Sequence, residues 1–96
     1  LYAKEKEAGT NNAATVALTG TVYDFSSEEL LAGVEVIIEG TDMKTYTDFD
    51  GQFTFKNIKP REYKLVTNYI SYNRGAETIK VDNTEKDVKI KLTNSD

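Results

Sequence analysis

The chain has 96 residues, of which 39% are hydrophobic and 29% are charged, and its formal net charge is −4 at pH 7. This composition is typical of one folded domain rather than a disordered segment. The acidic balance argues against nucleic acid as a partner, because phosphate binding depends on clustered Lys and Arg. No apolar run approaches the ~20 residues that a membrane-spanning helix needs.

Histidine and cysteine are both absent from the sequence. Their absence removes thiol nucleophiles, disulfides, His-based triads and zinc sites ligated by His or Cys. Catalysis would have to rest on Asp, Glu, Lys, Tyr or Ser, and a metal would have to be a hard cation bound through oxygen. We therefore predict a domain with no catalytic site and no cofactor.

The beginning of the chain differs in pattern from the rest. Residues 1–15 mix charged residues with Gly, Asn and Ala and show no sustained period, which predicts a flexible leader that follows a removed signal peptide. From Val16 onward, apolar residues recur at every second position in short runs, as in strands with one buried face. We predict a folded domain over residues 16–93 and a short tail at 94–96.

The alternating runs are separated by turn-forming residues. In the first strand, Val16, Leu18 and Val22 would share the buried face with Gly20. Residues 26–31 are predicted to form a loop, and 73–75 a hairpin turn. The remaining strands are predicted near residues 34–39, 43–47, 52–55, 62–72 (the longest), 76–81 and 88–92. About seven strands spaced by turn signals predict an all-β, antiparallel, Greek-key-type sandwich of two sheets.

Some residues are predicted to have structural roles in this sandwich. Glycines allow tight turns or close packing, and the single proline fixes φ at the entry to a strand. Large apolar side chains that share one face of a strand would fill the space between the sheets. These structural candidates are Gly20, Gly33, Gly51, Pro60, Phe53, Phe55, Tyr63 and Leu65.

Six short motifs follow one another along the chain. They are G-x-V at residues 20–22, L-x-G-V-x-V at 31–36, G-T at 40–41, T-D-x-D-G-x-F at 47–53, I-x-P-x-x-Y-x-L at 58–65 and an aromatic strand end at Tyr72. In this order they resemble the carboxypeptidase-regulatory-like domain of the transthyretin-like superfamily. The resemblance extends over about residues 16–92.

The resemblance implies an accessory role rather than a catalytic one. Such domains accompany zinc carboxypeptidases, and in Bacteroidetes-type bacteria they commonly precede the plug of TonB-dependent outer-membrane receptors. The implied location is the periplasm, the outer membrane or the outside of the cell. The implied partner is another envelope protein or a neighbouring domain.

We therefore expect a non-catalytic interaction module of the cell envelope that binds a protein through a sheet face or an open edge strand. One alternative is an N-terminal extension of a TonB-dependent nutrient receptor. The other is a carbohydrate-binding module. Fold alone does not distinguish these functions.

The candidate binding residues are two carboxylates and a set of aromatic and apolar side chains. Asp48 and Asp50, one residue apart before a glycine, form the cluster that resembles a calcium site. The alternative, which we favour, is an Asp-rich β-turn whose carboxylates accept backbone hydrogen bonds. A surface that binds protein or carbohydrate would use exposed side chains, for which the candidates are Tyr23, Ile37, Tyr46, Tyr69 and Tyr72.

Overall fold

The structure, a computed structural model, describes residues 14–84 and 86–95. The described residues form seven strands, which are β1 (Val16–Asp24), β2 (Glu35–Ile38), β3 (Lys44–Tyr46), β4 (Gln52–Ile58), β5 (Arg61–Asn68), β6 (Gly75–Val81) and β7 (Lys86–Leu92). One sheet has the order β4-β1-β7 and the other β3-β2-β5-β6. The predicted all-β sandwich of two sheets is confirmed. Within these residues no helix has the length and apolarity needed to cross a membrane.

The core lies between the two sheets and follows the period-two pattern of the sequence. In β1, for example, Leu18, Gly20 and Val22 are buried, while the intervening Thr19 and Thr21 are partly exposed. Alternation works here because each sheet has one face toward the other sheet and one face toward water. The largest fully buried apolar side chains are Leu18, Val22, Val34, Val36, Ile38, Ile58, Leu65 and Ile90.

Gly20 has a packing role at the centre of β1. A Cβ atom at this position would lie 2.8 Å from Val88 Cγ2 and would overlap the ring of Phe53. Phe53 itself packs edge-on against Phe55, with ring centroids 5.9 Å apart. The missing side chain of Gly20 therefore makes room for the aromatic pair of β4.

The pairing of β1 with β7 is parallel, whereas the other strand pairs are antiparallel. After β6 the chain crosses from the four-stranded sheet to the three-stranded one, and it reaches β1 running in the same direction. The antiparallel expectation is thus wrong for this pair. Alternation of apolar residues reports which face is buried, but it does not report strand direction.

The strand predicted over residues 62–72 is shorter than expected. β5 ends at Asn68, so the nine-residue β1 is the longest strand. A turn follows, in which Tyr72 N–H donates to the Tyr69 carbonyl at 3.1 Å and Ser71 has a φ of 69°. The β5–β6 connection is therefore residues 69–74 rather than a hairpin turn at 73–75. The loop predicted for residues 26–31 is confirmed.

The two ends of the chain are described only in part. Residues 1–13 of the predicted leader and Asp96 of the predicted tail lie outside the described residues. The described tail residues Asn94 and Ser95 pair with the β5–β6 connection. Asn94 forms a bridge with Tyr72, and Ser95 N–H donates to the Ser71 carbonyl at 3.0 Å.

Candidate interaction surface

Strand direction brings three long connections to one end of the sandwich. β1, β3, β5 and β7 end here, and β2, β4 and β6 begin here. The connections are residues 25–34, 47–51 and 69–74, joined by the segment 93–95 after β7. We call this end, with those four segments, the loop end.

The loop end carries the exposed large apolar side chains of the described chain. Phe49 is 97% exposed and Ile70 is 84% exposed, and three others are half exposed or more. All five lie in the loop-end segments or, for one, at the strand end beside them, namely Phe25, Leu30, Tyr46, Phe49 and Ile70. An apolar side chain left in water adds nothing to the folding free energy, so such a concentration points to a contact surface.

Phe49 sits at the centre of a turn that is held by Asp48. The Asp48 carboxylate Oδ1 accepts hydrogen bonds from Asp50 N–H and Gln52 N–H, both at 2.9 Å. The Asp48 carbonyl accepts from Gly51 N–H at 2.9 Å. Gly51 has a φ of 73°, in the left-handed region that glycine tolerates. These bonds fix the backbone of the turn while the ring of Phe49 stays in solvent.

A shallow apolar depression of about 380 Å³ lies beside Phe49. It is lined by Ala32, Gly33, Thr47, Asp48 and Phe49 itself. The Thr47 hydroxyl connects the two loops that form it, because it accepts from Val34 N–H at 2.9 Å and donates to the Leu31 carbonyl at 2.6 Å. The depression and the exposed ring are therefore adjacent parts of one hydrogen-bonded structure.

Asp24 and Tyr72 connect the two sheets at the loop end. The Tyr72 hydroxyl donates to Asp24 Oδ2 at 2.6 Å, and Oδ1 of the same carboxylate accepts from the N–H groups of Ser26 and Ser27, both at 2.8 Å. The Tyr72 bond, with those from the serines, holds the pKa of the Asp24 carboxyl below its ordinary value. The same bond, partial burial and the charge of Asp24 raise the pKa of Tyr72 to about 12.

A second depression, of about 370 Å³, lies on the outer side of the three-stranded sheet near the loop end. Its lining mixes polar and apolar side chains, Thr21, Tyr23, Glu28, Leu30 and Lys89. Close to it the Lys91 ammonium lies 5.4 Å from the ring centroid of Phe25, which is within the range of a cation–π contact. This side of the loop end is therefore more polar than the side that carries Phe49.

The two loops that line the depression beside Phe49 carry charges of one sign. Residues 25–34 and 47–51 contain the carboxylates Glu28, Glu29, Asp48 and Asp50 and no lysine or arginine. Asp48 directly precedes Phe49 and Asp50 directly follows it. Phe49 is thus presented between two carboxylates, whereas Phe25 and Leu30 also have the lysines Lys91 and Lys89 beside them.

The predicted binding residues do not form one surface. Tyr23 is half-buried on β1, in the three-stranded sheet, whereas Ile37 and Tyr46 are on β2 and β3, in the four-stranded sheet. Ile37 occupies one row of that sheet with Lys44 and Val66. The side chains of Tyr23 and Ile37 point outward from opposite sheets of the sandwich, so these two residues do not form one apolar patch.

Two of the tyrosines are packed rather than presented. The rings of Tyr69 and Tyr72 lie 5.6 Å apart and pack against the core. Tyr46 is the most exposed tyrosine of the four, and its hydroxyl lies 3.5 Å from Glu35 Oε2. A flat platform of stacked aromatic rings is therefore not formed by these side chains.

The structural candidates occupy the following positions. Phe53, Phe55 and Leu65 are buried in the core, and Gly51 lies against the Val22 carbonyl. Tyr63 is half-buried and donates to the Lys59 carbonyl at 2.5 Å. Pro60 is half-buried immediately before β5, and Gly33, with a φ of 80°, lines the depression beside Phe49.

The carboxylates of the calcium candidate are arranged as a turn. Asp48 uses Oδ1 for backbone N–H groups, as in the β-turn alternative, and Asp50 contributes its own N–H to that network. Among the described residues there is no group of three or more Asp or Glu side chains positioned to hold a metal ion. The geometry is that of a capped turn.

Phe49, Phe25 and Ile70 were not singled out by the sequence motifs. A signal for Phe49 was present, because it stands between two carboxylates in a turn and outside the alternating runs. No core position is available to a side chain in that place. For Phe25 and Ile70 the signal appears only when strand direction brings their loops to the same end.

Several solved structures share this sandwich. A chain of the type II cohesin–X-dockerin complex from Acetivibrio cellulolyticus (a C-terminal interface mutant) has a TM-score of 0.68 at 19% identity; the match covers 80% of this chain and 56% of that one. The pilus 2b backbone protein of group B streptococcus has a TM-score of 0.70 at 16% identity, covering 90% and 46%. The 3-chlorocatechol 1,2-dioxygenase of Rhodococcus opacus 1CP has a TM-score of 0.66 at 15% identity, covering 86% and 61%.

These identities are low, so the likeness concerns the fold, and the chain spans about half the length of the first two. No curated protein is similar to the chain in sequence. The model of the CarboxypepD_reg-like domain family matches residues 18–96. The matched range begins within β1 and contains all six motifs. The chain belongs to the CarboxypepD_reg-like domain family.

Proposed function

We propose that this chain is a non-catalytic interaction module of the bacterial cell envelope, and that it binds a protein partner through the loop end. One observation carries the proposal. The exposed large apolar side chains of the described residues are concentrated at this end. Aromatic and aliphatic side chains in an otherwise polar surround are typical of the centre of a protein–protein interface.

The outer faces of the two sheets are less suited to binding than the loop end. On the four-stranded sheet, Glu35 accepts from Asn68 at 3.0 Å and lies 3.7 Å from Lys44. On the three-stranded sheet, the Thr19 hydroxyl donates to Asp87 at 3.1 Å. These polar side chains on the two faces already have partners within the chain. The contact expected through a sheet face is therefore reassigned to the loop end.

The edge strand β6, one of the four described strands at the edges of the two sheets, is a weaker candidate. β6 pairs only with β5, so one side of its backbone is free among the described strands. Glu77, however, lies opposite Leu65 on the side of the sheet that faces the core. A charge directed inward on an edge strand is a device that prevents pairing with another strand.

The family and its structural neighbours support a binding role. A regulatory-like domain acts through another chain or another domain, and two of the neighbours come from a cohesin–dockerin complex and a pilus backbone. The pilus protein and the resemblance to domains of envelope receptors also support our proposal of an envelope location. If the chain is an extension of a TonB-dependent receptor, the partner is a neighbouring domain and the same surface serves.

Absence of catalysis is part of the proposal. The sequence has no histidine or cysteine, and Asp24 and Asp48 use their carboxylates to hold loops. The dioxygenase among the neighbours shares the sandwich at 15% identity, which concerns fold alone. Carbohydrate binding is less favoured, because the tyrosines are distributed over different faces.

The proposal is tested with the purified chain on a biosensor and a detergent-solubilised envelope fraction from the producing cells. A retained protein is identified, purified and titrated to saturation against three chains: native, a loop-end variant (Phe25→Ser, Phe49→Ser, Ile70→Ser) and a sheet-face variant (Thr19→Ala, Thr54→Ala, Thr78→Ala). We expect saturable binding that only the loop-end variant loses. Loss in the sheet-face variant alone, or saturable binding to glycans without a protein partner, would overturn it.

A further inference from the structure

We propose that Phe49 is the anchor of the loop end, and that its partner offers an apolar socket bordered by lysine or arginine side chains. This inference rests on the proposed function, because it specifies the chemistry of the protein that the loop end binds. It concerns the turn at residues 47–51 and the depression beside it.

Phe49 is exposed on a backbone turn that is held by hydrogen bonds. The residue is 97% exposed, so its ring contributes nothing to the core. The turn beneath it is nevertheless held by hydrogen bonds to both the carboxylate and the carbonyl of Asp48. A side chain presented on a fixed backbone loses less entropy when it is bound, which is the property of an interface anchor.

A depression adjoins the ring of Phe49. Ala32 and Gly33 leave a shallow space of about 380 Å³ beside Phe49. Thr47 also lines this space, and its hydroxyl is hydrogen-bonded to the backbone of Leu31 and Val34. An apolar side chain of the partner placed in this space would contact one face of the Phe49 ring. The ring and the depression together form a ridge and a groove.

The turn that carries Phe49 is acidic. Asp48 and Asp50 flank the anchor directly, and neither the turn at residues 47–51 nor the lining of the depression contains a lysine or arginine. A partner that buries Phe49 must therefore face carboxylates, and basic groups at the edge of its socket satisfy that condition. A second copy of this chain that presented the same turn would meet the opposite condition, because it would bring carboxylates together.

The test uses probes of defined chemistry in an NMR titration of the ¹⁵N-labelled chain. The probes are three acetylated, amidated pentapeptides in which leucine alternates with lysine, glutamine or glutamate. We expect the lysine peptide to shift the amide signals of residues 32–33 and 47–51 saturably, with the glutamine peptide at least about fivefold weaker and the glutamate peptide inactive. Phe49→Ala should weaken the lysine peptide roughly tenfold.

Two further variants separate the contributions. The hydrogen bonds described for the turn use the Asp48 carboxylate and not that of Asp50, so Asp50→Asn keeps the turn and should reduce the preference for lysine over glutamine. Thr54→Ala, on a sheet face, should change nothing. Unshifted signals elsewhere in the spectrum confirm that each variant is folded.

The inference is overturned if lysine and glutamine peptides bind equally, if the shifts lie outside residues 32–33 and 47–51, or if Phe49→Ala leaves them unchanged. It is also overturned if dilution of the chain alone moves these signals, because a second copy is then the occupant. Its failure is distinguishable from failure of the proposed function. If Phe25→Ser with Ile70→Ser abolishes binding of the purified partner and Phe49→Ser does not, the loop end binds without this anchor.

Discussion

The hydroxyl of Tyr72 donates a 2.6 Å hydrogen bond to the carboxylate of Asp24. This bond joins the β5–β6 loop of one sheet to the last residue of β1 in the other sheet. The bond lies within the loop end, beside the exposed Ile70. The same carboxylate also holds the start of the β1–β2 loop through Ser26 and Ser27. The interaction surface is therefore positioned by a side-chain bond between the sheets as well as by strand pairing.

We expect the stability of the chain to depend on this bond in a pH-dependent way. Asp24 has a lowered pKa in the folded state, so its stabilisation is present above its ordinary pKa, about 4, and is lost as pH falls below it. Tyr72 has a raised pKa, so its stabilisation is present below about pH 10 and is lost as pH rises toward 12.

Denaturant unfolding of the native chain and of Tyr72→Phe, compared across pH 3–11 (a range bounded roughly by the two ordinary pKa values), measures this dependence. The native chain should be more stable near neutral pH, and the difference should narrow at both extremes. Tyr69→Phe, which keeps the Tyr72 bond, is the control. A difference that is constant with pH would show that the Asp24–Tyr72 hydrogen bond does not cause it.

Asp48 and Asp50 should differ in their effect on stability, because only the Asp48 carboxylate caps the turn. Asp48→Ala removes two hydrogen bonds and should cost about 1–2 kcal/mol of unfolding free energy, against at most about 0.5 kcal/mol for Asp50→Ala. Thermal unfolding with calcium chloride, magnesium chloride or EDTA distinguishes a capped turn from a metal site. A calcium-specific rise in Tm that Asp50→Ala abolishes would contradict the capped turn.

Gly20→Ala tests the packing of the core. The added methyl group would overlap the Phe53 ring and lie 2.8 Å from Val88 Cγ2, so we expect a loss of about 1–3 kcal/mol. Phe53→Leu removes the atoms that the methyl group meets. Phe53→Leu should therefore reduce the unfolding free energy less in the Gly20→Ala background than in the native chain, as measured in a double-mutant cycle. Simple additivity of the two changes would contradict this packing.

Period-two alternation predicted much of this fold for a physical reason. In β1, β4 and β7 one face meets the opposite sheet and the other meets water, so Leu18, Phe53 and Ile90 are identifiable from the sequence. Strand direction and order are not encoded in alternation, which is why the parallel β1–β7 pair was not predicted. The shorter β5 was missed because Tyr69 and Tyr72 continue the aromatic pattern after the strand has ended.

The candidate site was predicted less well than the fold. Motifs indicated the turn around Asp48, but they drew attention to its carboxylates rather than to the aromatic residue between them. Phe25 and Leu30 lie on one loop, but Phe49 and Ile70 are far from them in sequence and come to the same end only through the strand directions. A surface formed by separate loops has no local sequence pattern.

Glu77 provides a test of the edge strand. Replacing it with Val would make the inward side of β6 apolar at residues 77, 79 and 81 and remove the charge that faces the core side. We expect concentration-dependent self-association of Glu77→Val in sedimentation experiments. Thr78→Val, on the other side of the strand, should sediment like the native chain. A monomeric Glu77→Val would show that this charge does not protect the edge.

Binding through the loop end can be tested in the producing cells by site-specific photocrosslinking. p-Benzoylphenylalanine is placed at the loop-end positions of Phe25, Phe49 or Ile70, and, for comparison, at Thr54 or Thr78 on the sheet faces. We expect one and the same envelope protein, or a neighbouring domain, to be crosslinked from the loop-end positions and not from the others. Crosslinks obtained only from Thr54 or Thr78 would contradict this expectation and would return the contact to a sheet face.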